Sequence, residues 1–125
     1  MSDIQTQLSN VNEAFDSAFN GQQIDKIAAL YADNATVLPA PAGSPVKGTA
    51  AIEQFFSGLI TAGVIDHHLE LVEAVEDSHL AYQTGRWSGA MMDAEGARQT
   101  FGGNVQLIYR KQNDGAWKVV SHIWN

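Results

Sequence analysis

The run Phe101-Gly-Gly-Asn-Val-Gln-Leu-Ile-Tyr-Arg-Lys111, the turn Gln112-Asn-Asp-Gly115 and the run Ala116-Trp-Lys-Val-Val-Ser-His-Ile-Trp-Asn125 together decide the fold. Both runs are rich in β-branched and aromatic residues, and Asp-Gly between two such arms is a strong hairpin signal. In the second arm a period-two strand puts Val120, His122 and Trp124 on one face and Trp117, Val119, Ser121 and Ile123 on the other. Both faces are largely apolar. That reads as a strand covered twice, by helices on one side and by a second subunit on the other.

Working outward, Asp66–Val75 and His79–Ser88 have the same strand composition, and Ala97–Lys111 contains the hairpin's first arm. Residues 76–78 turn the first pair and residues 91–96 the second. Gly102 and Gly103 follow no strand-to-helix transition, so they mark a bend rather than a phosphate loop. The N-terminal half is helical. Ile4, Leu8, Val11, Phe15, Ala18 and Phe19 form one apolar stripe, with capping-box spacing between Ser2 and Gln5 and a stop at Asn20-Gly21. Ile24, Ile27, Leu30 and Tyr31 predict a second helix over 22–32, followed by a short strand, Ala35–Leu38. Three prolines between positions 39 and 45 exclude regular structure there. A third helix begins at Gly48-Thr49 with Thr49 as N-cap, buries Ile52, Phe55, Phe56, Leu59 and Ile60, and ends at Gly63. Three helices followed by a four-stranded antiparallel meander is an α+β pattern.

With 125 residues, one domain over 1–125 is expected. Hydrophobic residues make up 45% and charged residues 17%, which excludes global disorder. The net charge is −7 and the seven Lys and Arg are scattered, so nucleic acid and anionic membrane surfaces are not expected partners. Without cysteine there is no disulfide and no thiolate chemistry. The N-terminus lacks a signal-peptide pattern and no apolar run is long enough to span a bilayer, so a cytoplasmic location is the expectation.

Chemical candidates are few. His67-His68 is adjacent, so on a regular strand the rings point to opposite faces and read as a surface edge. His79 falls at a turn. No metal-ligand spacing and no nucleophile elbow occur, so no metal and no cofactor are expected. His122 beside Trp124 has two open readings: a hydrogen-bonded core residue, or an acid/base group whose imidazole titrates near neutrality. Arg86 shares a strand face with Tyr82, Thr84 and Ser88; facing inward, its guanidinium would be a fixed donor to a ligand, and facing outward an ordinary surface arginine.

Tyr31-Ala-Asp-Asn-Ala-Thr-Val37, the proline-rich loop closing on Gly48, Ala51-Ile-Glu-Gln-Phe-Phe56, and Gly115-Ala-Trp-Lys-Val119 with Trp124 carry a resemblance. Over essentially the whole chain they resemble the ketosteroid isomerase and SnoaL-like branch of the nuclear transport factor 2-like superfamily. The resemblance implies a cystatin-like cone: three N-terminal helices packed on a curved antiparallel sheet around a pocket, dimeric through the sheet's outer face. Ketosteroid isomerases use a general-base Asp, a Tyr and a protonated Asp. Those roles fall here on Pro39, Phe15 and Val105, which perform none of them, so steroid isomerisation by that mechanism is rejected. The resemblance places Phe15, Tyr31, Phe55 and Trp124 in the pocket, with Val120 and His122 on the inner face, and in the same register turns Tyr82, Thr84 and Arg86 inward. It implies a small hydrophobic partner and a homodimer. Two functions remain open: proton-transfer chemistry of isomerase, cyclase or dehydratase type on a hydrophobic carbonyl compound, with His122 as acid/base, or a non-catalytic binding or dimerisation module.

Overall fold

The computed structural model describes residues 3–40 and 43–125. Helix α1 (Ile4–Asn20) buries Leu8, Asn12, Phe15, Ala18 and Phe19. Its N-cap is Asp3, whose Oδ1 accepts the Thr6 N–H at 2.8 Å; Ser2, expected in that role, lies outside the described residues. Helix α2 is shorter than the apolar spacing predicts, Ile24–Ala28 only. Strand β1 (Tyr31–Leu38) begins where the second helix was expected to be ending, because the Leu30 carbonyl accepts the Val119 N–H at 3.0 Å and the chain is captured by the sheet. Strand β2 (Val46–Lys47), read from sequence as loop, pairs with β1 through Val37↔Val46 and Thr36↔Lys47. Helix α3 (Thr49–Thr61) is capped by Gly48 rather than Thr49; Gly48 holds φ +90°, a conformation that favours glycine.

Four long strands follow: β3 (Ile65–Asp77), β4 (Leu80–Met92), β5 (Arg98–Lys111) and β6 (Trp117–Trp124). The sheet has six strands in the order β2-β1-β6-β5-β4-β3. Its meander is antiparallel, as expected, but β1 lies parallel to β6, so the sheet is mixed. Helices on one face of this curved sheet make the α+β cystatin-like fold. No helix among the described residues is long and apolar enough to cross a membrane.

A β-bulge decides which side chains face inward on β6. Tyr109 pairs with Val119 and Ile108 with Ser121, so Val120 is an extra residue. Trp117 and Val119 are buried before it, and His122 is buried after it with Trp124 half-buried. All four therefore face the core, and Val120 does not share their face, contrary to the regular alternation. The apolar character of both apparent faces comes from this phase shift.

On β4 the inward residues are Ala81, Gln83, Gly85 and Trp87. Tyr82, Thr84 and Arg86 face outward, which reverses the expected register. Gln83 is fully buried and satisfied: its Nε2 donates to Asn12 Oδ1 at 2.7 Å and to the Tyr109 hydroxyl, and its Oε1 accepts from Asn12 Nδ2 at 3.0 Å. A polar residue can occupy the inner face because α1 and β5 supply every partner. Gly85 packs so closely that an added Cβ would lie 2.3 Å from the Glu70 carbonyl oxygen, which fixes glycine there. Replacing Gln83 with Leu strands the Asn12 amide and the Tyr109 hydroxyl in the core. Urea denaturation is expected to show a loss of about 2–4 kcal/mol, and a loss below about 0.5 kcal/mol would contradict this account.

Candidate functional site

The β6 bulge delivers His122 to the floor of the cone, 3% exposed. Its Nδ1 lies 2.8 Å from Tyr31 Oη, and the two rings stack at 26°. Burial, with a smaller contribution from Tyr109, pushes the Tyr31 phenol well above its ordinary range, so it keeps its proton. His122 Nδ1 is the hydroxyl's hydrogen-bond partner among the described residues, so the phenol donates to it. Burial, and then repulsion from His67, lowers the His122 pKa to about 3. The ring is therefore neutral near pH 7 and carries its hydrogen on Nε2. No buried side-chain nitrogen or oxygen among the described residues lacks a partner, so the unpartnered Nε2 is not sealed off, and His122 lines the adjoining cavity.

His67 stands close by in a different setting. Its ring lies against Phe15 and Phe19, with centroids 4.9 Å from each. Nδ1 is 2.8 Å from Asp16 Oδ1. A carboxylate accepts, so Nδ1 carries the hydrogen, and in the neutral ring Nε2 is a free acceptor. His67 is among the residues that line the cavity next to His122. The second Asp16 oxygen accepts the Leu69 N–H at 3.0 Å and lies 3.4 Å from Nδ1 of the exposed His68. Alternation from buried Leu69 puts His67 on the inner face and exposed His68 on the outer one, next to a bulge of β3 in which Ile65 pairs with Ala90, His68 with Ser88, and Asp66 has φ +56°. The surface-edge reading of His67 is therefore corrected; the side chain is only 11% exposed.

Between these rings lies a cavity of about 400 Å³. Buried Phe19, Phe56, Leu69 and His122 form its floor, and exposed Phe101, Gly102 and Asn125 form its rim. Phe55, Trp87 and Trp124 make an aromatic wall, with Trp87 Nε1 donating to the Asn125 carbonyl oxygen at 3.0 Å. His67 and His122 are the titratable side chains on this lining, and no Lys, Arg, Asp or Glu is among them. The arrangement presents one nitrogen acceptor and one N–H donor inside an apolar space.

Of the residues singled out from sequence, His122, Phe55 and Trp124 line the cavity. Phe15 and Tyr31 are buried one layer behind, with Phe15 edge-on to His122 at 6.2 Å between centroids. Tyr82 and Arg86 are on the outer face of the sheet, where Arg86 donates to Asn104 Oδ1 at 3.2 Å, so neither meets this cavity. Sequence reasoning missed His67, Asp16 and Trp87. A signal was present: Asn12, Asp16 and Asn20 form a polar row at four-residue spacing along an otherwise apolar helix face.

Residues 11–122 match the family described as the SnoaL-like domain. The chain belongs to that family. No curated protein matches it. Solved structures agree on the fold at low identity. A ketosteroid isomerase-like protein from Erwinia carotovora atroseptica superposes with a TM-score of 0.83 at 18% identity, covering 99% of this chain and 96% of that one. A nuclear transport factor 2-like protein with a cystatin-like fold from Novosphingobium aromaticivorans gives 0.82 at 12% identity, covering 97% and 80%. A nuclear transport factor 2-like superfamily protein from Salmonella enterica gives 0.77 at 12% identity, covering 98% and 92%.

The neutral burial of His122 has a consequence for pH. Its folded pKa, about 3, lies below the ordinary 6.5, so between these values the unfolded chain binds a proton that the folded chain does not. The stabilisation is complete above about 6.5 and is lost as pH falls toward 3. Between pH 7 and pH 5 the urea midpoint of wild type is expected to drop further than that of His122→Leu. Equal drops would contradict the neutral buried ring.

Proposed function

We propose that this SnoaL-like domain binds a small hydrophobic carbonyl compound in its aromatic cavity and moves a proton on it. The observation that carries the reading is two histidines lining a single apolar cavity, one held through Nδ1 by a phenol and the other by a carboxylate, which leaves Nε2 of the first as donor and Nε2 of the second as acceptor toward a ligand. A cavity of this kind, apolar with a few convergent polar groups, is suited to small-molecule recognition. The absence of cationic side chains from its lining favours a neutral ketone over a carboxylate or phosphate ester.

In this reading His67 Nε2 takes a proton from the carbon beside the carbonyl. The bonding pair moves onto the carbonyl oxygen, which receives a hydrogen bond from His122 Nε2–H. Asp16 stabilises the imidazolium that forms on His67, and the same proton is then returned elsewhere on the substrate. Delivery to another carbon of a conjugated enolate gives isomerisation; attack of the enolate carbon on a second carbonyl of the substrate, whose oxygen takes the proton, gives cyclisation; delivery to a β-hydroxyl as it leaves gives dehydration. His122 acts as a neutral donor rather than the acid/base first considered for it, since burial keeps its ring uncharged. Tyr31 acts through His122 by holding its tautomer.

The test is turnover and binding of a panel of aromatic ketones and enones. His67→Gln is expected to lower kcat by about 10²–10⁴-fold with binding retained. His122→Phe is expected to lower kcat by about 10²–10³-fold. Turnover equal to wild type in His67→Gln would end the base assignment, and wild-type binding without turnover would favour the non-catalytic binder.

The domain is also proposed to dimerise through the outer face of its sheet, where Val75, Ile108 and Ile123 are 38–45% exposed. Sedimentation velocity is expected to show a dimer that Ile108→Lys dissociates; a wild-type monomer at tens of micromolar would contradict it.

A further inference from the structure

Strand β3 is the last strand of the sheet, so beyond it no strand supplies hydrogen bonds. His67 sits in its bulge, outside the register with β4. An unpaired N–H and C=O at this place would be costly beside the buried ring. Asn20 satisfies both. Its Oδ1 accepts the His67 N–H at 2.8 Å and its Nδ2 donates to the His67 carbonyl oxygen at 3.0 Å. One side-chain amide thus provides the pair of bonds that a neighbouring strand residue would make. Asp16, one helical turn earlier on α1, holds the His67 ring and the Leu69 N–H. Asp66, at positive φ, is tied from the far side by Arg98, whose Nε donates to Asp66 Oδ2 at 3.0 Å.

We infer that Asn20, which sequence reading took only as a helix stop, is a positioning residue for the cavity base: its amide fixes the backbone of His67 so that the ring reaches both Asp16 and the cavity. The inference rests on the proposed role of His67 and adds the element that sets its geometry. Asn20 is bonded to the bulged end of the edge strand through both backbone groups of one residue.

The experiment compares wild type with Asn20→Leu and Asn20→Asp by two readouts: ring ¹⁵N spectra of His67 at pH 7.5, with His122 as internal reference, and kcat and KM for α-hydrogen exchange of 2-tetralone in D2O. In wild type, His67 should be protonated at Nδ1 with a bare Nε2. In Asn20→Leu its signals should move toward a tautomer average while those of His122 stay fixed, and kcat should fall about 10- to 100-fold with KM within about threefold. Asn20→Asp keeps the acceptor and loses the donor, so it should fall between. Should Asn20→Leu fail to fold, Asn20→Asp and Asn20→Ser give the same comparison. His67 signals and kcat identical to wild type in a folded variant would overturn the inference. A ring shift in the variants with no wild-type exchange of 2-tetralone would contradict the base assignment and support the clamp alone.

Discussion

The cavity depends on one irregularity, the extra residue Val120 in β6. Without it, alternation would send Trp117 and Val119 to the face opposite His122 and Trp124, and the strand would bury one pair only by exposing the other. With it, all four point into the cone. A bulge costs ladder hydrogen bonds locally and increases twist. Here it lets a single strand close the core with Trp117 and Val119 at one end and furnish the cavity with His122 and Trp124 at the other. On the far wall His67 stands at the bulge of β3, on the same inner face as Leu69.

The two histidines meet different partners, and this difference is the chemical content of the site. A buried phenol that holds its proton forces His122 to accept at Nδ1 and to donate at Nε2. A carboxylate forces His67 to donate at Nδ1 and leaves Nε2 bare. Identical side chains thus acquire opposite hydrogen-bonding roles from the groups behind them. Asp16 never reaches the cavity lining, so the space in front of the rings stays apolar. In such a medium a donor aimed at a developing oxyanion is worth more than in water.

Much of the fold was legible in the sequence. Element order, the final hairpin, the long strands and the helical stripes of α1 and α3 follow from periodicity and turn chemistry. One failure comes from period-two reading, which assumes an unbroken strand. It placed Val120 on the face of His122, because nothing in the local composition marks the bulge; for His67 and His68 the opposite faces hold, and only the surface reading of His67 fails. The residues of β4 left its inward face open, and the register carried over from the family resemblance turned the wrong face inward. Gln83 looks like a surface residue until Asn12 and Tyr109, distant in sequence, satisfy it, whereas Tyr82 and Arg86 look functional and stay outside. Tyr31 was read as the end of a helix, yet its pairing with β6 is what brings its hydroxyl to His122. The polar row of α1 was the readable clue to the site: Asn12 bonds Gln83, while Asp16 and Asn20 both bond His67, one at its ring and the other at its backbone.

The claim on which the rest turns is that the two histidines face one ligand with opposite hydrogen-bonding roles. A crystal structure with bound 2-naphthol, whose oxygen mimics an enolate oxygen on a flat two-ring frame, tests it most directly. The rings should lie among Phe55, Trp87 and Trp124, with the oxygen within hydrogen-bond distance of His122 Nε2 and a ring carbon facing His67 Nε2. An oxygen turned toward the rim at Asn125, with both Nε2 atoms left unengaged, would contradict the account.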